Sequence, residues 1–289
     1  MACCFYWMGT SLIQEAEASQ KRINEFLKQK PSILNTRELE SNIGGAISFK
    51  NVHFTYEDTN IEALKGISFE VQKGQTLAII GNTGSGKSRI LELIGRLYDV
   101  QKGDIKVDGK PIQSLNLNSL RSSIGFVPQD PFLFSDSLRN NIKFGKNKAS
   151  DDEVKRASKM AVVHDNIINF KNGYDTVLGE RGITLSGGQK QRVSIARAFI
   201  KNPQILLLDD CLSAVDTETE EQILNNIELV TKGKTTIIVS HRISSAKNAD
   251  MIVVLNNGII TQQGAHQKLI NVEGYYKDLY QNQLQEISS

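Results

Sequence analysis

The stretch GNTGSGKS at residues 81–88 constrains the fold of this chain more than any other feature. It follows the apolar stretch TLAII and precedes RILELIGRLY, in which apolar residues recur at helical spacing. Glycines let backbone N–H groups turn inward around a polyphosphate, and the start of the following helix adds its dipole and its free amides. The pattern therefore predicts a strand, a phosphate-binding loop and a helix that together bind a nucleoside triphosphate.

Two side chains of this loop have expected chemical roles. Lys87 brings a positive charge to the β- and γ-phosphates, and the Ser88 hydroxyl is a ligand for Mg²⁺. A glycine-rich turn formed by chance is the alternative, but it does not explain the strand and helix patterns on either side. The predicted nucleotide-binding residues of this region are Gly81, Asn82, Thr83, Gly84, Ser85, Gly86, Lys87, Ser88 and Arg89.

Two adjacent acids, Asp209 and Asp210, follow the apolar stretch ILLL. We expect Asp209 to end a buried strand beside the strand of the phosphate loop, where its carboxylate holds Mg²⁺ through water. Asp210 then points elsewhere and orients the attacking water. The alternative is that both acids only cap the next turn; the phosphate loop upstream favours the catalytic interpretation.

The rest of the 289 residues read as an α/β protein. Continuous apolar stretches alternate with helical patterns, which predicts a parallel sheet covered by helices on both faces. Ser150 and Glu153 form a capping-box pattern at the start of one predicted helix. The 34 basic and 32 acidic residues nearly balance, so charge gives no general argument for nucleic-acid binding.

The cysteines and histidines exclude two kinds of site. Three cysteines in an irregular arrangement are not a disulfide framework, which favours a reducing compartment, and Cys211 is expected to be a small buried residue. The four histidines show no spacing typical of zinc ligands.

The N-terminal region has two interpretations. Residues 2–13 are largely apolar but too few to span a membrane, which takes about 20 residues. A charged, helix-forming segment follows and stops at Pro31, and a polar linker is predicted at residues 32–45. From composition alone, the first 31 residues are either the end of a longer spanning segment or an amphipathic helix packed on the domain.

The stretch LSGGQ provides a second anion-binding helix start, formed by Leu185, Ser186, Gly187, Gly188 and Gln189. With this stretch the sequence resembles the ATP-binding cassette (ABC) family, over about residues 45–285. The resemblance implies an ABC cassette at residues 46–285 with an antiparallel β subdomain and a helical subdomain at about 130–195. It also implies ATP and Mg²⁺ as cofactors.

The resemblance implies roles for further residues. Tyr56 is similar to the aromatic residue that stacks on adenine, although packing against the sheet is the alternative. Gln129 matches the residue that senses Mg²⁺ and water, which makes Ser88, Gln129 and Asp209 the expected metal site. His241 matches the switch histidine that contacts the γ-phosphate. A dimer-facing turn is implied for Ser213, Ala214, Val215 and Asp216.

Two segments resemble those of exporters. TVLGERG, from Thr176 to Gly182, is similar to the loop that contacts coupling helices of a membrane domain. Residues 14–27 are similar to the segment that joins the last transmembrane helix of an exporter to its cassette, so residues 1 to about 15 are expected to be the cytoplasmic end of that helix. The implied partners are a second cassette and a membrane domain, which is contacted through the region of Gln129 and through Thr176 to Gly182. No nucleic acid is expected as a partner, and the expected location is the cytoplasmic face of the cell (inner) membrane.

Two residues depart from the family pattern. Arg89 replaces the usual Thr or Ser; its guanidinium either contacts phosphate or points to solvent, and we expect ATP to bind with altered affinity. Asp210 replaces the usual Glu and is one methylene shorter, so hydrolysis at this site is expected to be slow. Because the signature and His241 are intact, a heterodimer with a more active partner is favoured over a homodimer.

Two other functions remain as alternatives to the exporter motor. One is a regulatory subunit that binds ATP without hydrolysing it, which Asp210 keeps open. The other is a soluble ABC protein of translation or DNA repair, but such proteins usually have tandem cassettes or a long coiled-coil insertion, and neither pattern occurs here.

Overall fold

The apolar stretches of the sequence form two sheets, as seen in a computed structural model that describes residues 2–28, 31–35, 37–179 and 185–288. The strands in these ranges are β1 (Ile47–Thr55), β2 (Glu62–Val71), β3 (Thr76–Gly81), β4 (Lys102–Val107), β5 (Lys110–Pro111), β6 (Ile124–Val127), β7 (Ile205–Asp209), β8 (Thr235–Val239), β9 (Met251–Asn256) and β10 (Ile259–Gly264). The α-helices are α1 (Ala2–Lys28), α2 (Lys87–Ile94), α3 (Leu117–Ser123), α4 (Leu138–Lys143), α5 (Asp151–Met160), α6 (His164–Ile168), α7 (Gly187–Ile200), α8 (Thr217–Val230), α9 (His266–Leu269) and α10 (Tyr275–Ser288).

The larger sheet has the order β10-β9-β3-β8-β7-β6, and only the pair of β10 with β9 is antiparallel. β7 and β8 are buried at every residue, as expected for parallel strands covered on both faces. The predicted α/β fold is confirmed. The expected position of the Asp209 strand is wrong in one detail, because β8 lies between β3 and β7.

The order of these strands still brings their carboxyl ends to one edge of the sheet. β3 ends at Gly81, β7 at Asp209 and β8 at Val239. Because the three strands are parallel, the loops that follow them start on the same side, where α/β sheets bind ligands. The phosphate loop, the acid pair and His241 all belong to these loops.

The smaller sheet is antiparallel, with the order β2-β1-β4-β5. Its apolar face shares a core with α2 and one face of the larger sheet, and the rings of Phe49 and Phe69 stack in this core at 4.5 Å. It matches the antiparallel subdomain that the family resemblance implies.

Helices α4 to α7 pack with β6, β7 and α8 around a second core. The capping box at α5 is confirmed, since the Ser150 hydroxyl accepts from the Glu153 N–H and the Glu153 carboxylate accepts from the Ser150 N–H. Cys211 belongs to this core and is 2% exposed, as predicted. Burial raises the pKa of its thiol far above the usual range, so it remains protonated.

The chain divides into two compact units, Met1–Leu34 and Asn35–Ser289. In the first, the described side chains of α1 from Ile13 to Lys28 are exposed. The second begins within the predicted linker: Asn35 Oδ1 accepts from Leu117 N–H at 3.0 Å, and Ile43 is buried. Within the described ranges, none of the helices is both long enough and apolar enough to cross a membrane.

Candidate active site

A cleft of about 530 Å³ opens at the carboxyl edge of the larger sheet. Elements that are distant in the sequence contribute to its walls, including the end of β1, the phosphate loop, β7 and the turn between β9 and β10. Ten predicted site residues line it, namely Tyr56, Thr83, Gly84, Gly86, Lys87, Ser88, Gln129, Asp209, Asp210 and His241. The folded chain therefore brings together residues that the sequence only suggested separately.

The phosphate loop depends on glycine where its backbone turns. Gly84 and Gly86 adopt φ values of 78° and 99°, in the left-handed region that glycine favours. A Cβ at Gly86 would lie 2.6 Å from the Ala63 carbonyl oxygen, so only glycine fits there. Gly86 also precedes α2 directly and provides no capping side chain. The first amides of α2 are therefore left without a side-chain acceptor, as an anion-binding helix start requires.

The Lys87 side chain extends back to the start of the phosphate loop. Its Nζ donates to the carbonyl oxygens of Gly81 at 2.7 Å and Asn82 at 2.8 Å. Burial lowers the pKa of Lys87, while the nearby Asp210 and Asp209 carboxylates oppose this change. A further anion in the cleft would favour the charged form of this lysine.

The two acids differ in burial and in backbone conformation. Asp209 is 6% exposed and its Oδ1 accepts from Ser88 Oγ at 3.0 Å. Burial raises the pKa of Asp209, and the Ser88 hydrogen bond opposes this rise. Asp210 adopts a left-handed φ of 42°, so the chain turns sharply after β7, and the Asp210 N–H donates to the Val239 carbonyl at 2.9 Å.

The side-chain oxygen atoms of Ser88, Asp209 and Gln129 are suitable ligands for Mg²⁺. The Ser88 hydroxyl and the Asp209 carboxylate are already in contact, and the exposed Gln129 amide lines the same cleft. Mg²⁺ is a hard cation that prefers such oxygen ligands together with phosphate and water. Among the described residues, no group of three or more His, Cys, Asp or Glu side chains is arranged to bind a metal ion.

His241 follows β8 and faces the same charged groups. Burial and the charge of Lys87 lower its pKa, so its imidazole is neutral near pH 7. The main chain around it is fixed by a residue that the sequence did not reveal: Gln283 of α10 donates to the His241 carbonyl at 2.9 Å and accepts from the Ile243 N–H at 2.8 Å. A single glutamine in a helix that packs through its tyrosines carries no pattern that predicts such contacts.

The side chain of Arg89 takes neither of the two expected directions. It is 8% exposed, so it does not point to solvent, and it does not line the cleft, so it does not reach the phosphate site. Instead Nη2 donates to the Tyr56 hydroxyl at 2.6 Å. Tyr56 itself both packs against the sheet core and lines the cleft.

The signature stretch lies elsewhere. Ser186 caps α7 through its hydroxyl, which accepts from the Gln189 N–H, and Gln189 Oε1 accepts from the Ser186 N–H at 3.0 Å. A Cβ at Gly188 would lie 2.8 Å from the Ala214 carbonyl, so the signature packs closely against the turn formed by Ser213, Ala214, Val215 and Asp216. Leu185, Ser186, Gly187, Gly188 and Gln189 do not line the cleft around the phosphate loop.

The predicted contact loop is described only in part. Val177 is 65% exposed and pairs with Ser137 in a short antiparallel bridge. Glu180, Arg181 and Gly182 lie outside the described residues. Four phenylalanines elsewhere in the cassette are each at least 38% exposed, namely Phe126, Phe132, Phe134 and Phe144. Two of them, Phe126 and Phe144, line an apolar groove of about 280 Å³.

Known proteins are similar to this chain over most of its length. The ATP-binding cassette sub-family B member 6 of Xenopus tropicalis is 45% identical over 281 residues, covering 96% of this chain and 33% of the relative. A probable multidrug resistance ABC transporter ATP-binding/permease protein, YheI of Bacillus subtilis (strain 168), is 43% identical over 274 residues, covering 94% of this chain and 47% of the relative. The chain thus spans about half or less of the length of these relatives.

A solved structure of a bacterial Atm1-family ABC exporter with ATP bound is also similar. It superposes with a TM-score of 0.87 at 39% identity, covering 94% of this chain and 48% of that one. The sequence pattern of the family described as ABC transporter matches residues 64–213, which contain the phosphate loop, the signature and both acids. The chain therefore belongs to the ABC transporter family and carries its ATPase domain.

Proposed function

We propose that this chain is the ATP-driven motor domain of an exporter. The observation that carries the proposal is the convergence of Lys87, Ser88, Asp209, Asp210 and His241 on one cleft. The solved exporter with ATP bound, which is similar over nearly the whole chain, supports the same function.

Each side chain of the cleft has a proposed role in ATP hydrolysis. The phosphate loop binds the triphosphate through its amides and Lys87, and Tyr56 stacks on the adenine. Ser88, Asp209 and Gln129 would hold Mg²⁺, which when bound offsets phosphate charge. Asp210 orients the attacking water, and neutral His241 donates a hydrogen bond from its ring N–H to a γ-phosphate oxygen.

A second cassette completes the proposed site. Ser186 and Gly187 are exposed and lie outside the cleft of their own chain, so the signature is free to face the phosphate loop of a partner. The exposed residues Ser213, Ala214 and Asp216 form the adjoining contact, whereas Val215 is 5% exposed and packs in the second core of its own chain. ATP binding then closes the dimer and hydrolysis opens it.

Because of Asp210, ATP hydrolysis is slow at the site formed by this chain's own phosphate loop. The Asp210 carboxylate reaches one methylene less far than that of a glutamate, and a displacement of about 1 Å can lower a rate ~100-fold. The signature remains able to complete the site of a partner. A heterodimer is therefore favoured, with a homodimer as the alternative.

The exposed phenylalanines support coupling to a membrane domain. Phe126 and Phe144 line the apolar groove, and Val177 is exposed on the predicted contact loop. The relatives are longer than this chain, and the name of one of them includes a permease. We assign the groove to a cytoplasmic coupling helix of that part. Residues 1–31 are then the cytoplasmic end of its last spanning helix together with the connecting helix. Residues 32–45 form the linker and residues 46–285 the cassette, at the cytoplasmic face of the cell (inner) membrane.

The test is hydrolysis by the purified chain. We expect Mg²⁺-dependent release of phosphate from ATP that is lost in Lys87→Ala and unchanged in Lys73→Ala, whose lysine is exposed outside the cleft. Absence of both ATP binding and hydrolysis in the unaltered chain would contradict the proposal.

ATP binding without hydrolysis is the second candidate, and Asp210 is the observation that favours it. A single-turnover experiment with excess protein separates the two. Conversion of bound ATP to ADP, even over hours, supports the slow motor, whereas ATP that remains intact supports a regulatory subunit.

A further inference from the structure

Arg89 stands directly after the phosphate loop, yet its side chain lies among aromatic rings behind the cleft. The guanidinium carbon is 4.2 Å from the ring centre of Tyr98, 4.4 Å from that of Tyr56 and 4.9 Å from that of Phe54. Such distances are typical of cation–π contacts. The ring of Phe54 also meets those of Tyr56 and Tyr98 edge to face, both at 5.5 Å. The three rings form one aromatic cage around the buried Arg89 cation.

The charge of this cation is balanced within α2. Arg89 Nη1 lies 2.5 Å from Glu92 Oε2, in an ion pair whose angles do not make a hydrogen bond. Within the described residues, Nε and Nη1 have no hydrogen-bond partner. Nη2 of the guanidinium donates a hydrogen bond to the Tyr56 hydroxyl at 2.6 Å. Arg89 is therefore linked directionally to a side chain that lines the cleft.

Tyr56 is the member of the cage that reaches the cleft. Its ring is half-buried and lines the cleft, whereas Arg89, Phe54 and Tyr98 do not. The Tyr56 ring thus faces the proposed nucleotide cleft. On the side away from the cleft, the Arg89 guanidinium contacts the ring and hydrogen-bonds its hydroxyl. Rotation of the ring away from this position would break the hydrogen bond and expose the buried cation.

We propose that Arg89 is a positioning residue that fixes the Tyr56 ring as the platform for the adenine base. The proposal rests on the proposed function, since Tyr56 must meet a nucleotide. Because Arg89 belongs to the first turn of α2, it joins the base platform to the helix that binds the phosphates. Arg89, which departs from the family pattern, then strengthens binding of the base and does not contact phosphate.

The experiment compares two ligands, ATP and inorganic triphosphate, which has phosphates but no base. Arg89→Met keeps an unbranched apolar chain among the rings and removes the hydrogen bond and the charge. We expect its affinity for ATP to fall roughly tenfold, through loss of a preordered platform, and its affinity for triphosphate to stay within about twofold. In turnover measurements the KM for ATP rises while kcat is retained.

Arg96→Met is the matched control. Arg96 is equally buried, at 6% exposure, and forms an ion pair with Asp99 at the same spacing of three residues. It makes no contact with Tyr56 in the described structure, so we expect unchanged affinity for both ligands. Tyr56→Phe removes only the hydroxyl that Arg89 holds and keeps the ring, and a smaller loss of ATP affinity, about threefold, is expected. If Arg89→Met does not fold, this variant decides the question.

The outcomes separate the two proposals. Equal losses of ATP and triphosphate affinity in Arg89→Met, or full ATP affinity in Tyr56→Phe, overturn the platform role while the ATPase function stands. Failure of the unaltered chain to bind either ligand overturns the proposed function itself.

Discussion

Two helices of this chain begin with glycine-rich sequences, and they begin in different ways. α2 follows Gly86, which is left-handed and provides no capping side chain, so its first amides are open towards the cleft. α7 follows Ser186, whose capping box with Gln189 satisfies the N–H groups of these two residues. The first start therefore has no side-chain acceptor of its own, whereas the second has side-chain acceptors within the single chain. This difference distinguishes the stretch that shapes a cleft from the one that is an exposed surface, which the proposed function assigns to a partner.

The largest expected difference between the two helix starts comes from adding a methyl group at the start of α2 and at the start of α7. In Gly86→Ala the new Cβ clashes with the Ala63 carbonyl and the left-handed φ of 99° is strained, so we expect ATP affinity to fall roughly 100-fold. In Gly187→Ala the Cβ meets only the Ala214 methyl at 3.7 Å, and alanine suits a helix. We expect the ATP affinity of Gly187→Ala, measured by isothermal titration calorimetry, to equal that of the unaltered chain. Similar losses in both variants would show that the two starts are not different.

If Gly86→Ala fails to fold, Gly84→Ala replaces it. A Cβ at Gly84 meets no atom within 4 Å, so the variant carries only the strain of a φ of 78°. We expect about a fivefold loss of ATP affinity.

The next effect is on turnover. Asp210→Glu lengthens the acid next to the open helix start, and we expect kcat to rise roughly tenfold because the carboxylate then reaches the water. Asp210→Asn serves as the control and should lose the remaining activity. Steady-state phosphate release checks both, and a kcat that does not rise in Asp210→Glu would contradict the slow-site hypothesis.

The capping box of α7 gives a smaller effect, with a control elsewhere in the chain. Ser186→Ala removes the cap and should lower the free energy of unfolding by about 1 kcal/mol. Ser150→Ala removes the same type of box from α5 and should lower it by about the same amount. If the signature acts on a partner, only Ser186→Ala also lowers ATP hydrolysis at saturating ATP, and both variants keep their ATP affinity. Equal hydrolysis in the two variants would argue against that role.

The smallest expected effect is the pH dependence of stability at His241. Its pKa is lowered in the folded chain by burial and Lys87, while Asp210 and Asp209 oppose this change. The unfolded chain takes up a proton near pH 6.5 and the folded chain does not, so stability is lost as pH falls through about 6.5 towards the lowered pKa. The difference in free energy of unfolding between the unaltered chain and His241→Ala should therefore shrink from pH 8 to pH 5.5 in urea titrations. A difference that stays constant would contradict the assigned shift.

The site was predictable where a local pattern also fixes geometry. Strand, glycine loop and helix follow one another around Lys87, and the end of a buried strand places Asp209, so their meeting could be expected. The order of β7 and β8 could not, because both are short apolar strands that suit the same positions. The direction of Arg89 was equally hidden, since its ring contacts come from β1 and from the segment after α2. The contacts of Gln283 with the main chain around His241 could not be predicted either, because Gln283 is about 40 residues away in the sequence.

The left-handed backbone at Asp210 gives this residue a second significance. Among residues with a Cβ, Asp and Asn accept that conformation most readily, because their short polar side chains bond to the nearby backbone. A glutamate at the same turn has a longer reach and a poorer conformational fit. We therefore expect the substitution Asp210→Glu, which is proposed to speed hydrolysis, to lower the melting temperature, because Asp suits the turn that follows β7 better than Glu does.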